Sequence, residues 1–582
     1  MEKSENIVSL NFSSVDRAER LDQLKSETFD LLIIGGGMTG AGIARDAAFR
    51  GFKVALVDKN DFAFGTSSRS TKWAHGGFRY MLSAEFGLVH ESETERNWLR
   101  NSFSNLVRPF HILIPSYEGS RLSPALLRVG IFLYDLLNFY KNYIRGKVVT
   151  KIDKIKELEP LLNTEGMRGC GITSDTNLDD ARLTVETVKE AVNTGKCLAL
   201  NHVKITHLEK DESSGKVTGA WAEDQAGNGK EFLVKASIVV NATGIWTDEI
   251  LEKKPEGYPD KIIRPTKGVH LVFKREDFPV NNSIGLSSLV DRRFMFVYAR
   301  GEYTMLGTTD TDYKEDFDIP VTTKDDAEYL IASVQPRFPE VELSLDKIVG
   351  TYAGVRPLAV GKTKKGEEVS ESKVSRNHLI IQGDDDLVTI CGGKLTTFRV
   401  MAQDVMMKHI LKLAKEKIPG KTFISKKNIT KTPYLVCIKK NFWKLEPLVK
   451  EFMAGSALTE DQLEHLYQQY GKGGIEILKT IKASPGSEKR LVEDEDVKHA
   501  PWIEAEIEYI VPRESPCHLV DLLARRMEAT WMMHPSKQRK LAENAARIMG
   551  KLLKWDEKQE KEEIESYLKY VKSNSFFYDK PL

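Results

Sequence analysis

Apolar residues follow three different rhythms along the chain. Residues 29–34, apolar but for Asp30, and 54–57 are short apolar runs, separated by glycines and a small-residue stretch at 41–48. Runs this short and continuous predict buried parallel strands with a helix between them. Residues 236–240 and 387–391 repeat the pattern, and 197–203 reads as a further strand. From 264 to 312 the rhythm changes to alternation, at 271–273, 294–299 and 303–312, with a hairpin-like turn also at 213–216. Alternation predicts an antiparallel layer. Past Lys421 the chain becomes charged and helical. Ahead of the first strand, residues 1–28 are polar, and a short surface helix is expected near 15–24.

One segment stands apart. Ser123-Pro124 is a helix start, and the helix it opens, to about residue 144, is unusually apolar. Leu126, Leu127, Ile131, Phe132, Leu133, Leu136, Leu137 and Phe139 form a broad apolar face, with Tyr134, Tyr140 and Tyr143 beside it. Arg128, Asp135, Asn138, Asn142 and Arg145 share one narrow polar stripe, and lysines cluster beyond its end. Charges inside it argue against a membrane-spanning helix. Its pattern suits burial in the core and attachment to a lipid surface equally well.

At 582 residues the chain exceeds a single core, so two or three units are expected. Its 85 basic and 84 acidic residues leave a net charge of +1, which argues against a nucleic-acid binder. Five scattered cysteines (170, 197, 391, 437 and 517) form no CxxC pair, so neither a disulfide framework nor a metal site is expected. The N-terminal stretch carries Glu2, Glu5, Asp16 and Glu19 and has neither a secretory nor a transit pattern.

Candidate chemistry begins at residue 35. Gly35 permits a tight turn off the first strand, and Gly37 lets backbone approach a pyrophosphate. Gly40 lets helix and strand pack closely. Asp58 ends the second strand, where its carboxylate can accept hydrogen bonds from the hydroxyls of an adenosine ribose. Strand, glycines, helix, second strand and acid together point to a dinucleotide. The hydroxyl-rich run at 65–72 then replaces an ordinary βαβ repeat, and Asn241-Ala242-Thr243-Gly244 closes a later strand where a cofactor needs small residues. Both favour FAD over NAD.

His75-Gly76-Gly77-Phe78-Arg79-Tyr80, Arg264-Pro265-Thr266-Lys267-Gly268-Val269-His270, Leu306-Gly307-Thr308-Thr309-Asp310, Gly354-Val355-Arg356-Pro357-Leu358 and Gly392-Gly393-Lys394-Leu395-Thr396-Thr397 run in order along residues 29 to about 405. In that order they resemble the FAD-dependent glycerol-3-phosphate dehydrogenases of the aerobic bacterial type. Trp73 and Asn377 depart from the family's pattern, and no calcium-binding loop is present.

The resemblance implies an α/β fold: a two-dinucleotide-fold FAD-binding domain (28–110, 165–255, 345–415), an antiparallel-sheet substrate domain (111–164, 256–344) and a C-terminal α-helical domain (420–582). It implies oxidation of sn-glycerol 3-phosphate to dihydroxyacetone phosphate, with a quinone as acceptor or, alternatively, O2 giving H2O2. Cofactor contacts are expected from Gly35, Gly37, Gly40, Asp58, Thr66, Ser67, Ser68, Lys72, Val203, Ala242, Gly244, Gly392, Gly393, Lys394, Leu395 and Thr396. Arg79, Arg356, Arg376 and Lys394 are the cations expected to hold a phosphate dianion, with Tyr80 adding a hydroxyl. His75 and His270 are both candidates for the base. A cytoplasmic enzyme bound peripherally to the inner membrane surface is the expected setting, and a homodimer is left open.

Overall fold

The structure, a computed structural model, describes residues 12–83, 85–120, 122–138, 143–227, 229–251, 258, 260–360, 377–455, 457–493 and 500–582. The continuous apolar runs form one sheet. Thr28–Ile34 pairs in parallel with Glu231–Asn241 on one side and Val54–Val57 on the other. Cys197–Leu200 and Val388–Gly392 extend the parallel core outward. Both faces of these strands are buried, which is why they lack alternation. The helix Met38–Phe49 covers one face with its alanines, packed on Asp180–Val192 and Phe398–Val405. The run expected as one strand at 197–203 divides: Val203–Lys210 is a separate strand that forms an antiparallel meander with Val217–Asp224 and the start of Glu231–Asn241.

The alternating segments belong to a second sheet, of ten strands among the described residues. Its neighbours run antiparallel except where Ser283–Ser287 lies parallel to Arg108–Tyr117. Two of its longest members, Met167–Asn177 and Ile348–Ala359, come from stretches expected in the cofactor half. Both lie wholly in the second sheet, paired along their length with Arg108–Tyr117 and Ile263–Lys274. The strand expected over 303–312 breaks into Tyr303–Gly307 and Thr311–Asp312.

The helix starting at Ser123 caps as expected: Ser123 accepts from Leu126 N at 3.2 Å with Pro124 in the first turn. It ends at Leu137, about two turns earlier than predicted. Asn138 terminates it, its side-chain oxygen accepting from Asn97 Nδ2 at 2.5 Å. Phe139, Tyr140 and Asn142 lie outside the described residues.

Beyond residue 438 the chain forms a helical unit around its own apolar core. It is bound to the cofactor sheet by buried charges: Arg182 to Glu514 at 2.6 Å, and Arg525 and Arg526 to Asp61 at 2.5 and 2.7 Å. The N-terminal helix Arg17–Ser26 is more than the surface element expected. Its buried Arg20 donates to Ala199 O and Ser515 Oγ, and just ahead of it Ser14 Oγ donates to Pro516 O. The N-terminal stretch thus joins the first sheet to the helical unit.

Candidate active site

Two adjoining cavities open along the C-terminal ends of the parallel strands, where an open α/β sheet binds its ligand. The first, about 140 Å³, is lined by Gly35, Gly37, Asp58, Thr66, Ser67, Ala242, Gly244 and Gly392, with Lys59, Lys204 and Trp246 at its mouth. Gly35 has φ +108°, and a Cβ there would sit 2.5 Å from Ala242 O. Gly40 packs against Gly35 O and lines neither cavity. The half-buried Asp58 carboxylate accepts from Gly36 N (2.6 Å) and Asn60 N (2.9 Å), yet burial pushes it up to about 7. Ser67 Oγ accepts from Met38 N at the start of the helix Met38–Phe49. This donor set fits an ADP moiety: an acid for ribose hydroxyls, small residues along a phosphate path, and backbone N–H groups beside it.

The second cavity, about 340 Å³, continues from the first and shares Met38, Thr66, Ser67 and Gly392 with it. His75, Gly77, Tyr80, His270, Arg356, Gly393, Lys394, Leu395 and Thr396 face it together. Gly392 and Gly393 have φ +71° and +80°, conformations that suit glycine, and turn the chain there into the following helix. Lys394 Nζ stands 3.6 Å over the Tyr80 ring. Arg356 is held by Asp310 Oδ1 (3.2 Å) and Thr308 Oγ1 (3.0 Å) and lies over Gly268, where a Cβ would displace it. His270 stacks on Tyr352 at 4.7 Å, its Nε2 3.1 Å from Thr71 Oγ1. Burial, then the charges of Arg356 and Lys72, push its imidazole down to about 3, so the ring is neutral at physiological pH.

Besides Gly40, three expected cofactor residues line neither cavity. Lys72 is fully buried behind the cavity wall, its ammonium paired with Asp180 (2.7 Å) and Glu528 (2.9 Å). The Ser68 side chain is buried, and Ser68 O accepts from Lys72. Val203 packs into the core beneath Asp58, and its successors Lys204 and Ile205 line the cavity instead. A fold packed in three dimensions can turn a side chain inward at any point of a polar run, which spacing alone does not reveal. Arg376 and the side chain of Arg79 lie outside the described residues. The sequence reading missed Thr71, Asp175, Phe294, Phe296 and Thr308, which also line the cavity. Thr71 and Thr308 lie inside motifs it had singled out. Asp175 carried no signal: it is brought in by strand pairing, accepts from Gly76 N at 3.1 Å, and is pushed by burial to about 6.

Comparison with known proteins agrees with this geometry. Residues 30–399 match the FAD dependent oxidoreductase family, and residues 438–560 match the C-terminal domain of alpha-glycerophosphate oxidase. An aerobic glycerol-3-phosphate dehydrogenase of Bacillus subtilis is 33% identical over 96% of this chain and 98% of its own length. Its counterpart in Staphylococcus haemolyticus is 34% identical over 94% and 95%. Among solved structures, the glycerol-3-phosphate dehydrogenase from Bacillus halodurans complexed with FAD superposes with a TM-score of 0.75 at 27% identity, covering 98% of this chain and 99% of that one. The L-alpha-glycerophosphate oxidase from Mycoplasma pneumoniae shares the fold at a TM-score of 0.51 and 18% identity, covering 70% of this chain. With FAD as its cofactor, the chain belongs to the FAD-dependent glycerol-3-phosphate dehydrogenase family of FAD oxidoreductases.

Proposed function

We propose that the protein oxidises the secondary hydroxyl of sn-glycerol 3-phosphate to the ketone of dihydroxyacetone phosphate and passes the electrons to a membrane quinone. The observation that carries the reading is the convergence of Arg356, Lys394 and a neutral His270 on one cavity that continues a dinucleotide cradle. Bound FAD supplies the hydride acceptor. Arg356 and Lys394 hold the phosphate dianion, with Tyr80 adding a hydroxyl. Arg356 suits this because Asp310 and Thr308 fix its guanidinium before substrate arrives.

His270 takes the hydroxyl proton. Its imidazole is held unprotonated partly by the Arg356 charge, and a phosphate dianion on Arg356 offsets that charge. Substrate binding therefore raises the basicity of His270 at the moment a base is needed. His75 lines the same cavity and orients the substrate oxygen.

The quinone assignment rests on the helix Pro124–Leu137. Leu126, Val129, Phe132 and Leu136 form one outward stripe, each between 45% and 55% exposed, while Leu127, Ile131 and Tyr134 are buried. Among the described residues no helix is long and apolar enough to cross a membrane. An exposed apolar stripe beside the cations Arg128, Arg145 and Lys147 suits a helix lying in the lipid interface, each cation near an anionic surface contributing about 1 kcal/mol.

Anaerobic addition of sn-glycerol 3-phosphate should bleach the yellow enzyme, whereas plain glycerol should not. Arg356→Ala should require far more substrate for the same bleaching with FAD retained. His270→Asn should bleach at least about 10²-fold more slowly at saturating substrate. Equal reduction by glycerol would refute the phosphate site. Reoxidation by a quinone, but only slowly by oxygen, separates a dehydrogenase from an oxidase.

A further inference from the structure

We propose that Glu528, carried by the C-terminal helical unit, is a positioning residue for the active site: it locks Lys72 and thereby fixes the Ser70-Thr71 wall that holds His270. The inference rests on His270 acting in the site as described above.

Ser70 and Thr71 line the larger cavity, and Thr71 Oγ1 is the polar partner of His270 Nε2. The backbone here has no regular element of its own. Ser70 N and Oγ both donate to Asp180 Oδ2, at 2.9 and 2.6 Å. Thr71 O accepts from Tyr298 OH at 2.8 Å, and Ser70 O from Tyr352 OH. Lys72 then adopts φ +57°, an unfavourable conformation for a residue with a Cβ, and drives its ammonium into the interior. That geometry persists only if the buried ammonium is well paired.

Asp180 supplies one partner at 2.7 Å, and Glu528 supplies the other at 2.9 Å. Glu528 itself sits at φ +57°, is fully buried, and places its second oxygen on Arg300. Arg300 donates in turn to Leu178 O, and Leu178 N donates to Lys72 O. Two cations, Lys72 and Arg300, thus share one carboxylate delivered from more than 200 residues away in sequence. A neutral side chain at 528 would leave both cations with Asp180 and Asp179 as their nearby carboxylates. The strained Lys72 turn would then lose the pairing that over-determines it. The helical unit is therefore a structural part of the active site, although none of its residues lines the cavity.

The test compares two equally buried carboxylates of the same unit. Glu514 pairs with Arg182 and Lys189 behind the helix Asp180–Val192 and does not touch the cavity wall. Glu528→Gln should retain FAD, hold KM for sn-glycerol 3-phosphate within about twofold because Arg356 is untouched, and lose at least tenfold in kcat per bound flavin. Its visible flavin spectrum should also shift. Glu514→Gln should lower Tm comparably, with kcat per bound flavin within twofold and an unshifted spectrum. Thr71→Val deletes the last link without altering charge, and should reproduce the kcat loss even if Glu528→Gln does not fold. Wild-type kcat in Thr71→Val, or the same kcat loss in Glu514→Gln as in Glu528→Gln, would overturn the proposal. Wild-type enzyme that sn-glycerol 3-phosphate fails to reduce would sink the substrate assignment instead. The spectral comparison needs no substrate and would still decide the positioning role.

Discussion

At Asp58 the burial that prepares a ribose site also ties cofactor binding to pH. Its carboxyl sits near 7 because lost solvation outweighs the two N–H groups that hold it. Ribose hydroxyls donate to the charged form, so FAD binding lowers this pKa and releases a proton when the pH lies below 7. Acid must therefore oppose binding. The apoprotein should bind FAD roughly tenfold more weakly at pH 6 than at pH 8, measurable by quenching of flavin fluorescence. Asp58→Asn should bind weakly at both and lose the slope, and a flat wild-type profile would remove Asp58 as the titrating group. Asp58 could be read from sequence because its partners are local: a glycine turn 22 residues earlier and a strand that ends on it. Lys72 could not. Its conformation is decided by Asp180 and Glu528, and no local pattern announces that a lysine in a hydroxyl-rich run will turn inward.

Elements show the same division. The helix beginning at Ser123 was legible at its start, where cap and proline are adjacent, but not in which side it buries. Leu127 and Ile131 belong to the same apolar set in sequence as Leu126 and Phe132. Only the strand Met167–Asn177, where Ile131 packs against Gly171, separates inner from outer. Replacing Phe132 and Leu136 together by glutamate therefore changes only an exposed stripe. The double variant should fold, stay yellow and reduce a soluble dye at the wild-type rate, yet no longer sediment with anionic vesicles. Ile131→Glu makes the contrast, since it places a charge in a position 2% exposed and should prevent folding. A double variant that misfolds would mean the stripe is covered in solution, and the lipid contact would have to lie on another surface.

Across the whole molecule, the order of motifs announced the family, whereas the way distant segments close on one another did not appear in the chain's periodicity. The second sheet draws strands from Trp73–Ala74 to Ile348–Ala359, and strand pairing of that range leaves no mark in local alternation. The helical unit is similar: its own core was foreseeable, but its attachment was not. Arg182 is fully buried on the cofactor side and grips Glu514 through two bonds of 2.6 Å, with Glu186 at 3.1 Å and the Tyr470 ring 4.8 Å away. Lys189 bridges the same two carboxylates at 2.9 and 3.0 Å. Arg182→Met would leave two buried carboxylates sharing one ammonium, a loss of about 3–5 kcal/mol. Because Asp61, Lys72 and Arg182 all reach into the helical unit, that loss should fall on both units at once. On heating, helical circular dichroism and flavin release should move together to lower temperature and remain a single transition. Helices that melt first while FAD stays bound would show two independent units, and the buried charges between them would then be local contacts only.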